Sequence, residues 1–260
     1  MPKIPETRYR SCTDDPYFGP VKQILTALLC LSLLADTATA QEWLDKDLIV
    51  FYNGRQAIFP AEWKKVKARP ARMEFFHSDT AALLRALEMY PPSLIRKHLS
   101  RIYVVGSLRW GGQQFYGTNS RRNIYIEGGD SVQTNHTFHH EFSSILLRNL
   151  PNGDLKWEWQ KRSPRLVNRS SAAAMWLGYS ATALNEKLME DGYLCDYSLS
   201  NWENDFNMYA EYIFCGGAAF WKLVDKYPLV KKKVGLVINF YNTQVSHIYR
   251  ESFFREVAGL

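Results

Sequence analysis

The sequence predicts an α+β fold: a small mixed sheet, followed by a helical half with one central helix that carries the motif residues. Three observations predict it. Runs at 47–52 (DLIVFY), 101–108 (RIYVVGSL) and 123–127 (NIYIE) are rich in β-branched and aromatic residues and end in turn residues. Apolar positions spaced by three and four residues dominate from about residue 137 onward. Sheet elements precede helices, with no internal repeat or low-complexity segment, which suggests one domain over 41–260.

The elements follow in chain order. Residues 22–40 (KQILTALLCLSLLADTATA) combine Lys22, a short apolar stretch from Ile24 to Leu34, and the small-x-small site Ala38-Thr39-Ala40. That is the pattern of a secretory signal, too short for a comfortable membrane span. Residues 1–40 therefore read as an N-terminal extension plus signal peptide, with the true start near Val21 and a mature chain from Gln41. The expected location is periplasmic or extracellular, with no integral membrane span after signal removal. The mature chain keeps Cys195 and Cys215, read equally as one disulfide or as buried apolar thiols.

Asn53-Gly54 is a turn. Ser78 or Asp79 is expected to cap a helix running through Tyr90, and Pro91-Pro92 ends it and starts a second one to about Leu99. Gly111-Gly112 and Gly128-Gly129 break the chain around the strands. The central helix is expected from about Thr137, as its N-cap, to Asn149. Residues 154–170 read as loop, and further helices are expected at about 171–190, 201–225 (with a break at Gly216-Gly217) and 228–241.

Composition narrows the function classes. Hydrophobic residues at 46% and charged residues at 22% fit a globular chain, not a disordered one. The net charge of +6 is small and scattered, which argues against nucleic acid as a partner. The one tight basic run, Lys231-Lys232-Lys233, reads as a solvated helix face.

Residues 137–147 (TFHHEFSSILL) carry the chemistry. Phe138, Phe142, Ile145, Leu146 and Asn149 share one side of the helix, and His140, Ser144 and Leu147 the other, as in a helix packed behind and facing a cleft in front. His140-Glu141 opens like the zinc-protease signature H-E-x-x-H. There two imidazoles four residues apart meet one zinc, and the Glu polarises the metal-bound water. Here Ser144 stands at the second ligand position, and a hydroxyl is a poor zinc ligand. His136 and His140 are also four apart and share a face if the helix starts by Asn135; a Thr137 cap puts His136 outside. His139 points to the apolar edge and reads as structural. No G-x-S-x-G elbow supports a serine hydrolase using Ser143 or Ser144.

HHEFSSILL resembles the H-H-E-F-S-H-I-L run of bacterial secreted zinc-binding metallopeptidases, gluzincin-like members of the zincin superfamily. Residues 192–211 (GYLCDYSLSNWENDFNMYAE) are similar to that family's Gly-aromatic segment, Tyr-containing loop and acidic helix. The resemblance spans roughly residues 75–225. It implies a zincin-like fold with zinc as cofactor and a peptide or protein substrate. It implies His140 as first ligand, Ser144 at the second ligand position, and Glu203 or Asp205 as third, with Asn204 an alternative register. Glu141 would be general base and Tyr197 a transition-state donor. Glu203 also fits a structural role, as the acid of a Ser200-x-x-Glu203 capping box. Glu203, Asn207 and Glu211 form a polar row at steps of four. Two functions follow as expectations: an exported zinc metallopeptidase, or a catalytically inactive zincin-fold protein that binds peptide or glycan in its cleft.

Overall fold

In the computed structural model, which describes residues 48–167 and 182–260, the early strands divide between two sheets. β1 (Ile49–Phe51), β3 (Arg101–Val105) and β7 (Asn123–Glu127) pair in parallel, and β6 (Gly117–Asn119) adds antiparallel to β7 at the edge, giving the order β1-β3-β7-β6. β2 (Val66–Arg69), β4 (Ser107–Trp110) and β5 (Gln113–Phe115) form a separate antiparallel sheet.

The expected single strand at 101–108 thus becomes two. Gly106 lies between them, and a Cβ there would meet the Pro70 carbonyl oxygen at 2.1 Å. Only glycine lets the backbone bend so close to the neighbouring strand. Tyr103 and Tyr125 stack at 5.3 Å in the core between the sheets, and Trp63 and Trp110 pack half-buried against it.

The first helices are α1 (Phe76–Glu88) and α2 (Pro92–His98). Neither Ser78 nor Asp79 caps α1. Asp79 is buried and accepts from the Gly129 amide at 3.0 Å, which ties α1 to the start of the next helix. That helix, α3, runs Ser131–Asn149 and starts seven residues earlier than expected. Its cap is Asp130, whose carboxylate accepts from the amides of Val132 and Gln133 at 2.9 and 3.1 Å. Thr137 is instead buried inside the helix. Behind α3, Phe138 and Phe142 are fully buried in an aromatic cluster with Tyr90, Phe214 and Tyr241.

The segment read as loop contains α4 (Leu155–Lys161), whose Trp159 is fully buried. Most of the helix expected at 171–190 falls on residues outside the described ones, and of its remainder only α5 (Glu186–Met189) is α-helical. α6 (Trp202–Cys215) and α7 (Gly217–Lys226) meet at the expected glycine break, and α8 (Pro228–Phe240) and α9 (Glu251–Val257) complete the described chain.

α6 is capped by Asn201, which accepts from the Asn204 amide at 2.9 Å, so the Ser200–Glu203 capping box does not form. Lys233 is wholly buried, not solvated. Cys195 and Cys215 are free thiols. The signal segment lies outside the described residues. Among the described residues no helix is long and apolar enough to cross a membrane.

Candidate functional site

α3 and α6 lie side by side and run antiparallel, because their contacts pair 136 and 140 with 211, 143 with 207, and 144 with 203. The polar row of α6 therefore faces the polar side of α3. Strand β6 closes the site from the sheet. A Cβ on Gly117 would meet Thr137 Cγ2 at 2.3 Å and Glu141 Oε1 at 3.2 Å, so this glycine lets the strand lie against the motif helix. The result is a cleft of about 240 Å³, lined by Trp63, Trp110, Gly117, Thr118, Asn119, His140, Glu141, Ser144, Arg148, Tyr197, Glu203, Asn204 and Asn207.

Two polar clusters occupy neighbouring turns. In the first, His136 Nδ1 donates to Glu211 Oε1 at 2.8 Å and His140 Nδ1 to Glu211 Oε2 at 3.2 Å. Burial by itself raises the Glu211 pKa, but the two imidazole hydrogen bonds outweigh it and hold the carboxylate below its usual range. Burial likewise pulls His140 down, yet the bond to Glu211 and the charges of Glu141 and Glu203 leave it above its usual value. Glu211 is thus the acid beside the motif histidine.

In the second cluster, Ser144 Oγ donates to Glu203 Oε1, and Arg148 donates to Ser144 Oγ at 2.8 Å and to Glu203 Oε1 at 3.1 Å. Arg148 also reaches the side-chain oxygen of Asn119 and the Ser120 carbonyl. Asn119 in turn donates to Glu141 Oε2. Burial raises the Glu141 pKa, with His140 and Asn119 opposing it only in part. Tyr197 faces His140 with ring centroids 6.0 Å apart, and burial keeps its hydroxyl protonated.

The structure thus brings His140, Glu141, Ser144, Glu203 and Tyr197 to one cleft. His136 joins them through Glu211, because the early Asp130 cap places it inside the helix. Asp205 does not join: it turns away to Lys233 at 2.6 Å and to the Trp159 indole at 2.8 Å. His139 is buried against Phe214 and lies 2.8 Å from the Tyr90 hydroxyl. Glu211 and Arg148 are the residues that sequence reasoning did not assign. The i, i+4 row containing Glu211 was visible; the long cation one turn beyond Ser144 gave no signal of its own.

The donors do not suit zinc. A zinc ion bound to Ser144 would sit about 2.0–2.2 Å from its oxygen and so within about 5 Å of Arg148 Nη1. Between a dication and a guanidinium at that range, repulsion is on the order of 7 kcal/mol at an effective dielectric of 20. Glu203 is already neutralised by Arg148, so the misfit lies at Ser144 and Glu203; the Nδ1 bonds of His136 and His140 to Glu211 leave each Nε2 outside that pairing. Among the described residues no three His, Cys, Asp or Glu side chains are grouped so as to hold an ion.

No protein family profile and no curated protein matches this sequence. A solved structure does match: a putative zinc-binding metallo-peptidase from Bacteroides caccae ATCC 43185, at 16% identity and a TM-score of 0.51, covering 82% of this chain and 84% of that one. At that identity the likeness concerns the fold, and the fold of this chain is metallopeptidase-like.

Proposed function

We propose that this protein binds an extended peptide in a cleft inherited from a metallopeptidase-like fold, without metal-assisted hydrolysis. The observation that carries the reading is Arg148, whose guanidinium fills the corner where the second metal ligand would work. The rest of the cleft suits a peptide. Among the described residues β6 has β7 as its one strand partner and stands at the sheet edge, with Gly117, Thr118 and Asn119 lining the cleft. An edge strand offers unpaired backbone groups to an added chain. Trp63 and Trp110 supply apolar walls, and Glu141, Tyr197, Asn204 and Asn207 supply donors and acceptors along the floor.

In this reading Glu141 and Tyr197 contact the bound chain, and Ser144 and Glu203 anchor Arg148. The N-terminal signal exports the protein, which mass spectrometry of the mature form, beginning at Gln41, would verify.

The test is metal content. The parent protein, purified without chelator, should retain no stoichiometric zinc after dialysis. Ser144→His combined with Arg148→Leu should gain about one zinc per chain, because it restores the second imidazole and removes the opposing cation. Stoichiometric zinc in the parent that is lost in His140→Ala, together with peptide cleavage lost in Glu141→Gln, would overturn this reading in favour of a working metallopeptidase.

A further inference from the structure

Beyond Asn119 the cleft opens into a wider groove of about 840 Å³, which shares Trp63, Asn119 and Arg148 with it and adds Arg121, Arg122 and Glu62. We propose that this groove receives an acidic stretch of the bound peptide, so that the ligand is a chain with carboxylates clustered at one end. The proposal rests on the peptide-binding reading above and specifies its ligand.

The first argument is charge. Arg148 is balanced by Glu203, which leaves Arg121 and Arg122 against Glu62 alone. Among the described residues the Arg121 guanidinium makes no hydrogen bond or ion pair. Arg122 spends one nitrogen on the Arg96 carbonyl at 3.1 Å. Exposed guanidinium forks are matched in shape and charge to carboxylates.

The second argument is that the turn carrying the cations is fixed in place. The turn that carries them is held by Ser120 N to the Asn123 carbonyl at 2.9 Å and by Asn123 N to Ser120 Oγ at 3.2 Å. The end of α3 grips it too, through Arg148 on the Ser120 carbonyl at 3.1 Å and Asn149 on the Arg121 carbonyl at 3.4 Å. A chain paired along β6 advances about 3.3 Å per residue. Its residues just past Asn119 therefore arrive beside Arg121 and Arg122.

The third argument is polarity along the path. Glu141 lines the cleft end and Arg121 and Arg122 the groove end, with the Glu203–Arg148 pair between them. A nucleic acid, with a phosphate at every step, would meet repulsion in the cleft. A peptide acidic at one end only would not.

The experiment uses the immobilised full chain and an equimolar mixture of dodecapeptides, randomised at six central positions and carrying Asp-Glu-Asp at one terminus with Asn-Gln-Asn at the other, or Asn-Gln-Asn at both. Mass spectrometry reads the retained peptides. One acidic orientation should be enriched roughly tenfold over its amide counterpart, about 1.4 kcal/mol. The enrichment should shrink at high salt and vanish in Arg121→Ala/Arg122→Ala, while retention of the amide peptides stays unchanged. Equal retention of acidic and amide peptides, or a preference that survives the double substitution, would overturn the acidic preference and leave peptide binding intact. Retention of no peptide above a blank matrix would overturn peptide binding itself. Retention of a single-stranded oligonucleotide that depends on the same two arginines would also overturn the proposal.

Discussion

Two cation–carboxylate pairs on α6 stand two residues apart and do opposite jobs. Asp205 meets Lys233 at 2.6 Å with both side chains wholly buried, whereas Glu203 meets Arg148 at 3.1 Å with 29% and 41% of their side-chain surfaces exposed. Around Lys233 the faces of Tyr193, Trp159 and Tyr209 close at 4.2, 5.2 and 5.7 Å. Around Arg148 lie a serine, an asparagine and the open cleft. Positions two apart on a helix face nearly opposite directions. One pair is therefore sealed into the core, while the other lies within reach of a ligand. Ion pairing alone does not distinguish a structural acid from a functional one; its solvent exposure does.

The sharpest way to break that contrast is to remove the buried cation. Lys233→Ala leaves the buried Asp205 carboxyl without its cation and should cost about 3–5 kcal/mol in urea unfolding. Replacing both partners, with Lys233→Met and Asp205→Leu, should recover most of that loss. A loss below about 1 kcal/mol for the single substitution would show that the pair is not sealed.

A second test follows the buried side of α3 with pH. Burial holds His139 down at about 3, against 6.5 when unfolded. Between those values the unfolded chain binds more protons, so stability rises with pH through that window, by up to about 1.4 kcal/mol per unit. His139→Gln should lack this dependence. The parent-minus-variant difference, followed by urea unfolding from pH 3 to 7, should therefore slope, and a flat difference would mean that His139 is hydrated.

The smallest effect is expected at the cleft pair. Arg148→Ala should change stability by about 0–1 kcal/mol, as for other solvent-exposed pairs. A loss above about 3 kcal/mol would make Arg148 a structural residue and remove the contrast with Lys233.

The same contrast shows what was legible in the chain. The central helix, its apolar rear and its His140–Ser144 front follow from spacing alone, and the structure bears out that division. The glycine break between α6 and α7 and the strand at 123–127 also follow from local chemistry. The helix start did not. Thr137 and Asp130 both cap well, and the choice fell to Asp130 because a longer helix could pack Thr134 and Thr137 into the interior. That choice brought His136 to Glu211.

Sequence by itself determined which residues are apolar, where turns fall and that His140, Glu141 and Ser144 share a short stretch of helix, because those properties arise from neighbours along the chain. Tertiary structure alone decided which acids face them. The antiparallel register of α6 against α3 sets Glu211 on His140 and Glu203 on Ser144, while α8 and α4 draw Asp205 and Lys233 inward. Helical periodicity tells which residues share a face; what that face meets depends on a second element, whose register the local pattern does not encode.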